Sequence, residues 1–169
     1  MKKKSKASAL PTDAAISALA AQSRSRALRA TQMAAQAEAL QALAHTVIVG
    51  APRAQVIERA ATTLSQAFGA PAFILVKGQR LSVLATSGRP VALRAEDYDA
   101  ANTALDAHAP THAGIFPADG ARLDFWPVNL PNGERMAIGV DFQRTKDGRP
   151  SNADGLVESV AACLAAASR

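Results

Sequence analysis

The sequence predicts an α+β domain, an antiparallel sheet with helices packed against it, preceded by a long N-terminal helix. Three observations carry this expectation. From Ala14 to Val49 there is neither glycine nor proline, and good helix formers dominate. Two pairs of short β-rich runs follow, each pair joined by a turn signal. Segments of helical spacing lie before, between and after those pairs.

The elements read in order as follows. Residues 1–11 form a basic, flexible tail, and Thr12 or Asp13 can cap the long helix beside Pro11. Residues 12–49 are that helix, and "GAPR" (50–53) breaks it. A second helix over 53–68 carries Val56, Ile57, Ala60, Leu64 and Phe68 on one side, with Gly69 as its left-handed stop. "PAFILVKG" and "QRLSVLATSG" read as a hairpin through Gly78 and Gln79, with Pro71 at the strand's start. Residues 95–108 return to helix, with Tyr98, Ala101, Leu105 and His108 roughly in register. Pro110 and Gly114 make the next stretch a loop. "LDFWPVNL" (123–130) and "RMAIGVDFQ" (135–143) form a second hairpin across "PNG". In the latter run Met136, Ile138, Val140 and Phe142 alternate with smaller or polar residues, so one face is expected to be buried. Ser151 or Asn152 can cap a closing helix over 153–167. Residues 50–169 are thus the globular part.

Composition narrows the function classes. The longest apolar runs are far shorter than the ~20 residues of a membrane-crossing helix, and no apolar segment follows the basic start as in a signal peptide. The expected location is the cytoplasm, or the cytoplasmic part of an inner-membrane protein, with any membrane contact supplied by a parent chain. Lys2, Lys3, Lys4 and Lys6 supply four of the charges behind the formal net +5, so the remainder is close to neutral and nucleic-acid binding is not expected. Cys163 is the one cysteine, which precludes an internal disulfide and two-cysteine chemistry.

Met33, Ala37, Leu40, Ala44 and Val47 recur at alternating spacings of four and three, and Leu156, Val160 and Cys163 step similarly in the closing helix. Traced backward, the first stripe passes Ala30, Arg26, Ser23, Leu19 and Ile16 and weakens around "SRSR". A helix this long exceeds what a small domain can cover, so these stripes are expected to form the seam of a homodimer or to meet partner helices.

The layout resembles a GAF domain, and residues 102–143 resemble the branch found in KdpD-type potassium- and turgor-sensing histidine kinases. The matching residues are His108, Pro110, Gly114, "GAR" (120–122), "WPV" (126–128) and "AIGV" (137–140). The similarity covers about 50–168, and the preceding helix resembles the coil that leads into such domains. Two departures stand out: His112 replaces a second loop glycine, and Ile115 and Phe116 replace a Thr-Asp pair. The resemblance implies a regulatory module without catalysis, relaying a ligand or membrane signal through dimeric helices. The kinase's phosphoacceptor and ATP-binding motifs do not occur in the 169 residues. The expectation is therefore an excised piece of such a kinase or a lone sensor; the alternative is a dimeric scaffold or adaptor without ligand.

Chemistry-bearing residues are few. His108 and His112 would share a helical face only if Pro110 allowed the helix to continue, and a metal clip would need further ligands. They read as capping or solvated histidines, or as lining for a pocket mouth. Cys163 lies on an apolar helix face, where a thiol packs rather than reacts. Glu96, Asp97 and Asp99 suit the first turn of a helix. No catalytic residue, metal set or cofactor is evident. The resemblance places any small-molecule pocket between the sheet and helix 95–108, with Tyr98, Asn102, His108, His112, Arg122 and Trp126 as candidate lining.

Overall fold

The computed structural model describes residues 10–169. Its elements follow the expected order: α1 (Leu10–Ile48), α2 (Arg53–Phe68), β1 (Ala72–Lys77), β2 (Leu81–Ser87), α3 (Ala95–Ala107), β3 (Asp124–Asn129), β4 (Arg135–Val140) and α4 (Ala153–Ala166). α1 starts at Leu10 and takes Pro11 into its first turn, where a missing amide hydrogen leaves no bond unmade. The long helix expected over 12–49 is thus present, with Thr12 and Asp13 inside its first turns. The first nine residues of the expected tail lie outside the described residues.

The chain divides into two compact units, one ending at Ala35 and the other spanning Gln36–Arg169. In the first, residues 12–35 are exposed apart from half-buried Ser25. The second begins inside α1 rather than at the expected residue 50, because Leu43 is fully buried and Leu40 and Val47 pack against the same core cluster. The spacing Leu40, Leu43, Val47 presents one helical face to that core.

Four strands form one antiparallel sheet in the order β2-β1-β4-β3. Alternation along each strand sends side chains to two apolar clusters. Ile74, Trp126, Val128, Met136, Ile138 and Val140 meet α2, α4 and the end of α1. Phe73, Leu75, Phe125 and Ala137 meet Ala101, Ala104 and Leu105 of α3, together with Ala118, Ala121 and Leu123 of the following loop. Both faces of β4 are thus buried, where alternation alone predicts one. Ala137 is buried in the α3-side cluster, and Gly139 is small because Phe125 lies across it; a Cβ there would stand 2.6 Å from the ring. Phe142 has left the strand for a 3-10 turn over Phe142–Arg144, where it packs edge-on against Phe68 and Trp126.

The ends of the elements are set locally. Gly69 closes α2 at φ 60, as expected of a residue without a Cβ penalty. His108 closes α3 in the same left-handed conformation, at φ 51. Asn152 occupies the N-cap position of α4, but its side chain makes no cap bond. Its amide donates instead to Gln36 Oε1 at 3.2 Å, while Gln36 Nε2 donates to the Ala67 carbonyl at 3.0 Å. One glutamine thereby ties α1 to both α2 and the start of α4.

If the last turns of α1 belong to the core, Leu43→Ala should cost about 2–5 kcal/mol in urea unfolding. Ile115→Ala, at a residue 60% exposed, should stay within about 0.5 kcal/mol. Equal small effects would place α1 outside the cooperative unit.

Candidate functional site

A concave surface of the second unit lies where the β1–β2 turn faces α3. Lys77, Gln79, Arg80, Leu81, Tyr98 and Asn102 line about 380 Å³ of space. β1 sends Phe73, Leu75 and Lys77 to one face, so the strand's alternation carries a lysine into the α3 side just as the apolar cluster ends. Its ammonium donates to Asn102 Oδ1, and Asn102 Nδ2 donates one helical turn back to the Tyr98 carbonyl at 3.0 Å. Leu81 and Tyr98 are half-buried against the α3-side cluster and supply the apolar walls.

The six expected pocket residues do not form one site. Tyr98 and Asn102 line this concavity; the other four lie elsewhere. His108 is exposed at the end of α3. Arg122 belongs to a buried charge cluster around Asp97, which is fully buried at the first turn of α3. Asp97 Oδ1 accepts the Arg122 amide at 2.8 Å, and Oδ2 accepts the Arg94 amide at 2.9 Å and Arg122 Nη2 at 3.1 Å. Burial alone would raise its carboxyl, but the amides of Arg122 and Arg94 and the Arg122 guanidinium outweigh it and hold the group below the usual carboxylate range. Asp97 thus fixes both ends of the segment that covers the α3 face.

Asp141, just past β4, is the opposite case. It is 1% exposed, neither carboxylate oxygen makes a hydrogen bond of good geometry, and the groups that oppose its burial include Arg144, with Nε at 3.3 Å, and the Gln143 amide. Burial pushes its carboxyl up, against the opposing charges of Arg144 and Arg122.

His112 and Trp126 meet on the other side of the sheet. Thr111 pairs with Phe125 through two backbone bonds of 2.9 Å, which bends the loop over the β3 edge. The His112 ring then stacks edge-on with Trp126 at 6.4 Å, and its Nδ1 lies 3.3 Å from Asp124 Oδ2. Arg149 joins the group, with Nε 3.0 Å from Asp124 Oδ2 and Cζ 5.7 Å over the indole. Trp126 Nε1 donates to Asp154 Oδ1 at 2.8 Å, and this bond, with Arg149, holds the Asp154 carboxyl below its ordinary range. These contacts fasten the 141–152 loop and the start of α4 to β3, and Trp126 itself is buried core.

The expected helical seam is also divided. Leu156 and Val160 are buried in the chain's own core, and Leu40, Val47 and Cys163 pack partly against it. A stripe stepping by four and three buries a helix on a sheet as readily as on another helix, so Leu156 and Val160 are corrected to core positions. Ala44 is half-buried, Ala37 exposed and Met33 67% exposed. Burial raises the Cys163 thiol, which keeps it protonated and unreactive near neutral pH. Among the described residues no three His, Cys, Asp or Glu side chains gather as metal ligands, and no helix is long and apolar enough to cross a membrane.

Lys77, Gln79 and Arg80 escape the reading of the sequence because "KGQR" registers there only as a turn. The signal that finds them is the period of two that puts Lys77 in line with Phe73 and Leu75.

No family model matches the sequence, and no curated protein is significantly similar to it. Among solved structures, the native GAF domain of the potassium sensor histidine kinase KdpD from Escherichia coli superposes with a TM-score of 0.58 at 19% identity, over 78% of this chain and 91% of that one. A GAF domain described as that of a sensor histidine kinase from Pseudomonas syringae pv. tomato gives 0.54 at 15% identity, over 83% and 90%. The chain therefore has the GAF fold, as its motifs suggested.

The two buried carboxylates predict opposite pH behaviour. Asp97, with its pKa lowered on folding, stabilises fully above the ordinary value of about 3.9, and that contribution is lost as pH falls below it. Asp141, with its pKa raised, costs stability when ionised, and the cost is relieved as pH falls through its raised value toward about 3.9. Asp97→Asn should destabilise by about 3 kcal/mol or more. Asp141→Asn should be neutral or stabilising by up to about 2 kcal/mol and should flatten the stability profile above pH ~4. Urea melts across pH check both; a strongly destabilised Asp141→Asn would refute the contrast.

Proposed function

We propose that this GAF fold serves as the regulatory or sensory module of a two-component sensor histidine kinase of the KdpD kind, working in the cytoplasm and performing no catalysis itself. In this reading, two copies associate through α1, and a ligand or membrane signal passes as a shift of helix register. The observation that carries it is the anchorage of α1. Its last turns share one cluster with α2 and α4, and Gln36 hydrogen-bonds to both the end of α2 and Asn152. A displacement of those turns must therefore disturb the helices on that face. Ile16, Leu19, Met33 and Ala37 are exposed on α1 at the spacing of a two-helix seam. The likeness to domains described as parts of sensor histidine kinases supports the setting.

A second reading, a dimeric scaffold or adaptor without ligand, is favoured by one observation: Phe73, Leu75, Leu123 and Phe125 already fill the space beneath α3. Scanning calorimetry against small metabolites separates the readings, because a ligand that binds only the native state must raise its melting temperature.

Sedimentation equilibrium tests the relay. The expected species has twice the 17.5 kDa chain mass. Met33→Glu combined with Ala37→Glu should yield monomers whose core melts unchanged, since both residues are exposed. A wild-type chain that stays monomeric at high concentration would contradict the proposal.

A further inference from the structure

We propose that the concavity at the β1–β2 turn binds a small organic anion that carries a flat apolar group. This deepens the sensory reading, which needs a signal to bind, and it rests on that reading for its biological meaning alone.

Charge is the first argument. The lining contains two cations, Lys77 and Arg80, and no acid. Neither cation has a carboxylate within ion-pair distance among the described residues, a state they share with exposed cations such as Arg59 and Lys146, but these two line one concavity together. Lys77 rests on a neutral acceptor, the Asn102 carbonyl oxygen, although its side chain enters the apolar α3 side of the sheet. The four carboxylates of α3 do not supply the missing charge: Asp97 is committed to Arg94 and Arg122, Asp106 pairs with Arg135 at 3.2 Å, and Glu96 and Asp99 lie within ion-pair distance of neither cation. A ligand carboxylate or phosphate would give Lys77 and Arg80 charge-assisted hydrogen bonds in place of a neutral one.

Shape and polarity give the second. The concavity, about 380 Å³, suits a small ligand, and its walls are the Tyr98 ring and Leu81, both half-buried. The apolar walls and the cations face the same space, so the complementary molecule has a flat apolar body and an anionic head. The floor is pre-formed: Asn102 is fixed by its bond to the Tyr98 carbonyl and α3 by Asp97, so little ordering opposes binding.

Amide NMR titration of the full chain tests this with phenyl phosphate, benzoate, inorganic phosphate and benzyl alcohol. At least one of the two aromatic anions should shift the amides of Lys77, Gln79, Arg80, Tyr98 and Asn102 saturably, at least tenfold more tightly than inorganic phosphate. Whichever binds identifies the head group as phosphate ester or carboxylate. Benzyl alcohol should leave them unmoved. Lys77→Gln with Arg80→Gln should abolish the shifts while the remaining spectrum stays that of the folded chain, and Arg80→Gln alone should weaken them. The proposal is overturned if neither aromatic anion saturates at these amides, if binding survives the double variant, or if inorganic phosphate binds equally well. Binding by a monomeric chain would uphold the site and remove only the dimer relay.

Discussion

β1, β3 and β4 send apolar side chains to both faces of the sheet, so neither face can be left to solvent. With only four strands, cover has to come from nearly everything else in the second unit. α2, α4 and the last turns of α1 close one side, while α3 and the loop before β3 close the other. The demand is met by close fit: Gly139 has no side chain so that Phe125 can lie flat across the sheet. The same demand draws Leu43 into the core and makes the end of α1 structural. The turns of α1 from Gln36 onward thereby belong to the domain itself.

Charge organises what packing leaves open. Asp97 gathers the amides on either side of the α3 cover, and its satisfied bonds make a buried carboxylate tolerable. Asp141 lacks such bonds and stays buried at a cost. Around Trp126, the Asp124–Arg149–Asp154 chain fastens α4 to β3. At the turn between β1 and β2, Lys77 and Arg80 face one concavity with no acid in its lining, which makes it the natural place for an anionic ligand.

Element order, both hairpins and the glycine stop of α2 were legible because each rests on local signals: periodicity, turn residues, positive φ. The burial of both faces of β4 was not, since Ala137 and Gly139 read as a solvent face when Ala137 is in fact buried on the α3 side and Gly139 lies under Phe125. The site was half legible. Tyr98 and Asn102 follow from the helix register, but Trp126 faces the other side of the sheet by its place in β3, and His112 joins it there because the Thr111 bridge turns the loop over an edge, a tertiary event with no sequence period. The stripe Leu156–Val160 failed for a related reason, since a spacing of four and three does not name its partner.

The central claim is that the final turns of α1 fold and unfold as one body with α2 and α4. Native-state hydrogen exchange reads this directly, because amides of one cooperative unit open with a common free energy. Amides of residues 40–48 should be protected as strongly as those of Ala60, Ala61 and Leu64 in α2, and should lose protection in parallel under mild denaturant. Exchange at 40–48 that is orders of magnitude faster, with α2 still protected, would show a helix merely resting on the domain and would remove the basis for signal passing through it.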